Sequence, residues 1–266
     1  MTNQVKLVFL LTFVIHLIST LSYAVRIAGV RTGRIAVSFA IFNILVLASR
    51  TSNTFQGPLL AKHVEENILH GAYLGIEADF RWLLVASTLA SVAGLLLIPT
   101  FQRLFARAIE TLGTYRSVPR MMLRALSRAG LHQLRDAASI PAKENITLLT
   151  WRQAPRTILL FNALATALLT VGVFASLYAG YLRPDLRVTA NNLSPVINAL
   201  STILLFMFID PYLSLLTDDV TAGRATPGHF RRCIVLFAVS RVVGTVLAQL
   251  FLIPAAKLIA VVAEFL

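Results

Sequence analysis

Charge and cysteine are scarce in this chain of 266 residues, and the short motifs of common enzymes are missing from it. Only 14% of the residues are charged, whereas a soluble domain carries roughly 25%, which excludes an ordinary cytosolic enzyme. The single cysteine, Cys233, cannot form an internal disulfide, so a secreted disulfide scaffold is excluded. The chain has no HExxH sequence, nucleophile elbow or phosphate-binding glycine loop, and therefore indicates no catalytic residues, metal or cofactor.

Long apolar stretches are what the chain has in quantity, since 57% of its residues are hydrophobic. A helix needs about 20 apolar residues to cross a bilayer, and six blocks reach this length. None alternates with period two over ten residues, as strands of an outer-membrane barrel would. We therefore predict an all-α polytopic membrane protein with a single transmembrane domain, 1–266. The predicted spans are residues 5–24, 35–55, 82–101, 157–182, 193–215 and 233–252.

Basic residues outnumber acidic ones by 24 to 12, and their positions predict the orientation of the spans. The first, third and fifth loops carry three, ten and three Lys and Arg residues, whereas the N-terminus and the second and fourth loops carry 6 together. Because basic loops stay on the cytoplasmic side, we expect both termini outside and the loop 103–156 in the cytoplasm. This topology accounts for most of the excess positive charge, so no nucleic-acid partner is expected.

Two further features suggest contacts beyond the six spans. Residues 58–80 mix apolar side chains with four carboxylates, which is typical of an amphipathic helix at the outer interface or of a re-entrant segment. The chain after Pro254 is more apolar than one span needs, and Gly172, Ser176 and Gly180 form a small-residue row that allows close helix approach. We interpret the row and the tail as surfaces of a homodimer, with packing of the row inside the chain as the alternative.

Ionisable residues within the apolar blocks are the first candidates for a functional site. Such a group costs at least about 2.5–3.5 kcal/mol in hydrocarbon. At 1.5 Å per residue, His16 and Arg241 lie about 16 Å and 14 Å from the ends of their spans, near the midplane. Arg50 and Asp210 are closer to span ends and have the alternative of reaching the nearest surface. For His16 the alternative is a core histidine bonded to its own helix.

An internal repeat is suggested by uncommon residues that recur at an offset of 155. The pairs are Tyr23 and Tyr178, Asn43 and Asn198, and Pro99 and Pro254. Six spans with both termini on one side divide into two sets of three with opposite orientation, as in inverted-repeat transporters. We therefore predict a 3+3 inverted repeat, with chance coincidence among apolar helices as the alternative. The residues expected near its shared cavity are His16, Asn43, Asn198 and Arg241.

The run RIAGVRTGRIAVSFAIFNILVLASRTSNTFQGPLL, residues 26–60, resembles the Amj family, as does HLISTLSYAVR at residues 16–26. These are bacterial alternate lipid II flippases, and the length and the six-span layout also agree. The resemblance implies a multi-pass transporter of the bacterial cytoplasmic membrane that moves lipid II, undecaprenyl-pyrophosphoryl-MurNAc-pentapeptide-GlcNAc, from the inner to the outer leaflet. It implies no cofactor and assigns no site residues.

The residues themselves are compatible with such a substrate. Arginine binds phosphate oxygens well because its planar guanidinium donates several hydrogen bonds at once. The candidates for holding the pyrophosphate and head group are Arg50, Arg241, Arg26, His16, Asn43 and Asn198. Asp210 and His16 are candidates for ion or proton coupling. The lipid tail would stay among membrane lipids.

Two other classes of function stay open at this stage. A membrane enzyme acting on polyprenyl phosphates would also need arginines, but should show a cluster of acid–base or metal-binding residues, which the sequence does not indicate. A non-catalytic scaffold for envelope assembly would not need ionisable residues at the midplane such as Arg241 and His16.

Overall fold

The computed structural model describes residues 3–69, 75–115, 136–138 and 155–266, and within these ranges it contains helices and short connections but no strand. Six long helical units make up most of this part of the chain. Their bounds are α1 Asn3–Thr32, α2 Ile35–Leu69, α3 Ile76–Tyr115, α4 Arg156–Leu182, α5 Pro184–Thr221 and α6 Pro227–Phe265. All six are long and apolar enough to cross a membrane, which confirms the predicted polytopic fold.

The fifth unit, α5, is made of several pieces. A 3₁₀ turn and a short helix over Arg187–Asn192 lead into a helix over Ser194–Leu204. A π-helical turn over Leu205–Ile209 follows, and the helix then continues over Asp210–Thr221. In a π-helical turn the backbone hydrogen bonds span five residues instead of four, and such turns are frequent at functional sites.

The segment 58–80, predicted as a separate interfacial or re-entrant element, is divided between two long helices. α2 continues through Pro58 to Leu69, and α3 begins at Ile76. Proline inside a helix removes one backbone donor and clashes with the preceding turn, at a cost of about 3 kcal/mol. Beyond it, Leu60 and Val64 are buried in the bundle, so packing favours continuation of α2. A hydropathy pattern reports the solvent preference of a segment and does not show where a helix ends.

The predicted cytoplasmic loop 103–156 is partly helical. α3 extends to Tyr115, and α4 begins at Arg156. Residues 116–135 and 139–154, which carry most of the basic residues of this loop, lie outside the described residues.

Packing divides the bundle into two halves of three helices. α1 packs along α2 and α3 in the first half, and α4 packs along α5 and α6 in the second. Further contacts of α1 and α3 with α6 join the halves. The same pairs of helices, first with third and first with second, are therefore adjacent in each half.

The two halves share a close helix crossing. A Cβ added to Gly94 of α3 would lie 2.7 Å from the Cβ of Thr20 on α1. A Cβ added to Gly244 of α6 would lie equally close to the Cβ of Thr166 on α4. In both places only glycine permits this approach. Each crossing joins the first and third helices of its half, as an inverted repeat would. The two glycines are 150 residues apart and the two threonines 146, whereas the predicted offset is 155.

Contacts between distant segments gather both termini at one end of the bundle. Gln4 donates a hydrogen bond to Glu66 (3.4 Å), and Arg183 forms an ion pair with Glu264. This end is called the acidic end and carries Glu65, Glu66, Glu77, Asp79, Asp185 and Glu264. The opposite end is called the basic end and carries Arg31, Arg34, Arg103, Arg107, Arg224, Arg231 and Arg232. The grouping agrees with the predicted topology, and which end faces the cytoplasm stays a prediction.

The small-residue row of α4 packs inside the chain. Gly172 lies against Asn198 of α5, Gly180 lies against Asn191, and Ser176 is buried. The row is therefore not exposed as a homodimer contact. The tail after Pro254 continues α6 to Phe265, and Ile259 is buried in the same core as α4. A homodimer stays a prediction that no contact among the described residues supports.

Candidate functional site

A cavity of about 300 Å³ lies among α1, α2, α4, α5 and α6, and it is open rather than enclosed. On α1 it extends from Ile18 to Arg26 and on α2 from Phe42 to Arg50, which is about 12 Å along each helix. Its remaining polar and charged lining residues are Ser19, Ser22, Tyr23, Ser49, Asn162, Asp210 and Arg241. It occupies the half of the bundle nearer the basic end.

Three arginines and one carboxylate give the cavity its charge. Arg26, Arg50 and Arg241 come from three different helices, and Asp210 faces them from α5. A positive excess in a site walled by apolar helices attracts an anion more strongly than it would in water. The structure thus brings together four of the seven residues predicted from the sequence.

Arg26 is held at the end of the cavity nearer the basic end. Its Nη2 atom lies 3.4 Å from Oδ1 of Asp210, and the arginine side chain is 14% exposed against 43% for the aspartate. The guanidinium also lies over the rings of Phe39 and Phe42, 5.9 and 5.4 Å from their centroids. Aromatic faces attract a cation without neutralising it. Arg26 therefore keeps donors for an anionic ligand.

Arg241 lies deeper in the bundle. Its guanidinium is next to the hydroxyl of Tyr23, while its buried Nε atom has no hydrogen-bond partner. The hydroxyl of Tyr23 donates to Oδ1 of Asn162 at 3.3 Å. An unpaired donor of a buried cation is costly, so this geometry favours a ligand or water that accepts from Arg241.

Asn162 and Tyr23 are functional candidates that the sequence did not single out as binding residues. The Nδ2 atom of Asn162 donates to the backbone oxygen of Phe237 (3.0 Å) and to Oγ of Ser240 (2.7 Å). These bonds fix α4 against α6 beside Arg241. Asn162, Thr166 and Thr170 form a polar stripe on their span that indicates a cavity nearby, but the stripe alone does not show which of the three lines it.

The three other predicted residues do not line the cavity. His16 is 8% exposed and lies near Arg241, and its Nδ1 atom has no hydrogen-bond partner. Asn198 packs against Gly172 with its Oδ1 atom buried and unpaired. Asn43 is exposed on the outer face of α2.

Ionisable residues outside the cavity form pairs that tie segments together. At the acidic end, Nε2 of His63 lies 3.0 Å from Oδ2 of Asp79. Across the residues that the structure describes, no group of three His, Cys, Asp or Glu side chains is arranged to hold a metal ion. The charges most suited to binding a ligand are therefore those of the cavity.

Comparisons with known proteins identify the family of this chain. A family model described as Amj, Alternate to MurJ, matches residues 11–263. The protein named Lipid II flippase Amj from Bacillus subtilis (strain 168) is 36% identical over 260 residues, covering 97% of this chain and 96% of that protein. No solved structure matches the chain. Because the family model covers almost the whole length, this chain belongs to the Amj family.

Proposed function

We propose that this chain is a lipid II flippase, a transporter rather than an enzyme. The observation that carries the proposal is the cavity in which Arg26, Arg50 and Arg241 face a single carboxylate, Asp210. The near full-length relative named as a lipid II flippase supports the same activity. The substrate is a lipid whose pyrophosphate matches this excess of guanidinium groups.

The pyrophosphate binds to the arginines, and the rest of the head group extends out of the cavity. At about 300 Å³ the cavity is at the lower limit of small-molecule sites, and a disaccharide with a pentapeptide exceeds it. Arg241 binds at the deepest point, and Arg50 binds nearer the opening. Tyr23 and Asn162 orient Arg241, and His16 lies behind it.

The protein lies in the bacterial cytoplasmic membrane with its basic end in the cytoplasm and both termini outside. The positive-inside rule supports this orientation. At the acidic end, the buried cluster that includes Val5, Leu60 and Phe80 fills the space between the helices. The cavity thus faces the leaflet in which a lipid made in the cytoplasm is collected. We assign ion or proton coupling to Asp210, the one carboxylate of the cavity.

Reconstitution with lipid II tests the function and the arginines together. The purified protein in vesicles should make inner-leaflet lipid II accessible to a membrane-impermeant reagent faster than protein-free vesicles. Loss of a charge-assisted hydrogen bond costs about 1.5–3 kcal/mol, so Arg241→Ala and Arg50→Ala should slow transfer roughly tenfold or more. Lysine at either position should restore little, because it lacks the planar guanidinium.

The matched control is Arg224→Ala. Arg224 is an exposed residue of the basic end that pairs with Asp219 at 2.8 Å and lies outside the cavity. The Arg224→Ala variant should transfer lipid II at the parent rate. A parent protein that is no faster than empty vesicles contradicts the proposed function, and normal transfer by both alanine variants contradicts the assigned residues.

A further inference from the structure

The side of the cavity between α2 and α5 is not closed by helix packing. α2 packs along α1, and α5 packs along α4. Among the described residues, the ion pair of Glu65 with Arg187 joins α2 to α5 at the acidic end, but no extended contact joins them beside the cavity. Leu45 and Val46 line the cavity from α2, and Leu205 and Leu213 line it from α5. The open side of the cavity therefore lies between these two helices, which we call the α2–α5 gap.

The outward face of α2 beside this gap carries several polar residues in the middle of the helix, together with Leu47, which is 65% exposed. Asn43, Arg50, Thr51 and Thr54 are all exposed, and spacings of 7 to 11 residues place them on one side of a helix. No hydrogen bond or ion pair of the Arg50 side chain is present among the described residues. Exposed to hydrocarbon, an arginine costs at least about 2.5–3.5 kcal/mol. A polar or anionic group, or water of the cavity that Arg50 lines, therefore covers this part of α2.

On the α5 side, Leu205, Ile209 and Leu213 line the cavity beside Asp210, and an exposed apolar surface of the same helix lies next to them. α5 exposes Leu200, Ile203, Phe206 and Met207, with between 49% and 66% of each residue accessible. The π-helical turn over Leu205–Ile209 lies in this surface. Large flexible and aromatic side chains of this kind pack well against a branched hydrocarbon chain. The gap thus has one wall suited to a charged head group and one suited to an acyl or prenyl tail.

We propose that the α2–α5 gap is the lateral opening through which a prenyl pyrophosphate lipid enters from the bilayer. The pyrophosphate passes Arg50 to reach Arg241, and the tail stays outside against α5. The occupant follows from charge complementarity, because three guanidinium groups face one carboxylate in the cavity. The inference rests on the proposed function and adds the route of the substrate to it.

Bridging the gap tests the route. In a Cys233→Ala background, the pair Leu45→Cys and Leu205→Cys is bridged with thiol-specific linkers of graded length that a reducing agent removes. Lipid II transfer in vesicles should fall to the rate of empty vesicles once the bridge forms and return on reduction.

The control bridge joins Gln4→Cys to Glu66→Cys, which links α1 to α2 at the acidic end and leaves the gap free. It should leave transfer at the parent rate. Transfer that persists across a bridged gap overturns the proposal.

A second measurement does not depend on transport. A photoreactive amino acid replaces Met207, and the vesicles contain undecaprenyl pyrophosphate as the probe. The probe should label position 207, and excess unlabelled prenyl pyrophosphate should suppress the labelling, whereas neutral prenol should not. The matched control is Leu258 on α6, which is 58% exposed and should show no suppressible labelling.

The two measurements separate failure of the route from failure of the function. A parent that does not transfer lipid II but labels specifically at position 207 supports the opening and contradicts the flippase activity. Equal labelling at 207 and 258 overturns the opening. A disulfide between two copies through Leu47→Cys would also overturn the opening, because a second copy would then cover the polar face of α2.

Discussion

Asn162 is the residue at which three helices meet in the wall of the cavity. It accepts from Tyr23 of α1 and donates to Phe237 and Ser240 of α6. Sequence reasoning identified Arg50, Arg241 and Asp210, because a charge within an apolar block is visible in the sequence. It could not identify Asn162, since uncharged polar residues are common in spans and these partners are 75 to 139 residues away.

Replacing Asn162 with Leu should destabilise the bundle. Hydrogen bonds between helices in membranes contribute about 0.6 kcal/mol on average and up to about 1.7 kcal/mol, and this side chain makes three. We expect a loss of about 1–3 kcal/mol in the free energy of unfolding, measured by denaturant titration in mild detergent. Asn43→Leu, on an exposed face, should leave the free energy of unfolding unchanged. Equal stability of the two variants would contradict this role.

Asp210 competes with an anionic ligand for Arg26. The pair is partly exposed, so it is worth no more than about 1 kcal/mol. Asp210→Asn should therefore tighten binding of prenyl pyrophosphate by up to about fivefold, as measured by titration calorimetry. If Asp210 also couples transport to protons, the same variant should no longer respond to an imposed proton gradient. Weaker binding in the variant would show that Asp210 helps to hold the ligand.

At the scale of the helices, the two glycine crossings set how closely α3 approaches α1 and how closely α6 approaches α4. The number and order of the helices could be predicted, because hydropathy has a strong signal over 20 residues. The ends of the helices could not be predicted, because α2 extends to Leu69 and α3 to Tyr115, well beyond the apolar blocks. The inverted repeat stays a prediction, and its register could not be predicted from apolar sequence alone. The register depends on contacts of Gly94 and Gly244 that span different helices.

Gly244→Ala should weaken packing between α4 and α6. The added Cβ would lie 2.7 Å from the Cβ of Thr166 and would overlap the backbone oxygen of Ala163, which cannot move independently of its helix. Overpacking typically costs about 1–3 kcal/mol, and the melting temperature in detergent should fall accordingly. The Cβ added by Gly57→Ala in α2 meets no atom within 4 Å. This variant should therefore gain up to about 1 kcal/mol in the free energy of unfolding from helix propensity. Equal melting temperatures for the two variants would contradict the crossing.

At the scale of the whole molecule, the predicted inverted repeat would imply alternating access, which requires two states. We interpret the cavity near the basic end and the packed helices at the acidic end as one of these states. Asp185 and Gly228 lie at opposite ends of the bundle and can report its orientation. In a Cys233→Ala background, a thiol reagent confined to the outside of intact cells should label a cysteine at position 185 and not one at position 228. The reverse pattern would contradict the topology derived from the basic loops.

The second state requires the acidic end to open. Besides the pair of His63 with Asp79, two ion pairs among the described residues link separate segments there: Arg187 lies 3.6 Å from Glu65 of α2, and Arg183 contacts Glu264 of α6. Exposed pairs contribute about 0–1 kcal/mol each. Removing both with Glu65→Gln and Glu264→Gln should therefore shift the balance towards the outward-open state by up to about 30-fold.

Labelling of a cysteine at Ser19, in the cavity, measures this shift. Its reaction with an impermeant reagent added from the outside should accelerate in the double variant. Asp219→Asn, which breaks the pair with Arg224 at the basic end, is the control and should not accelerate it. An unchanged rate in the double variant would mean that packing around Val5, Leu60 and Phe80 keeps the acidic end closed without help from the ion pairs. The transition would then have to separate apolar surfaces, and substitutions of those three side chains by smaller ones should accelerate the labelling instead.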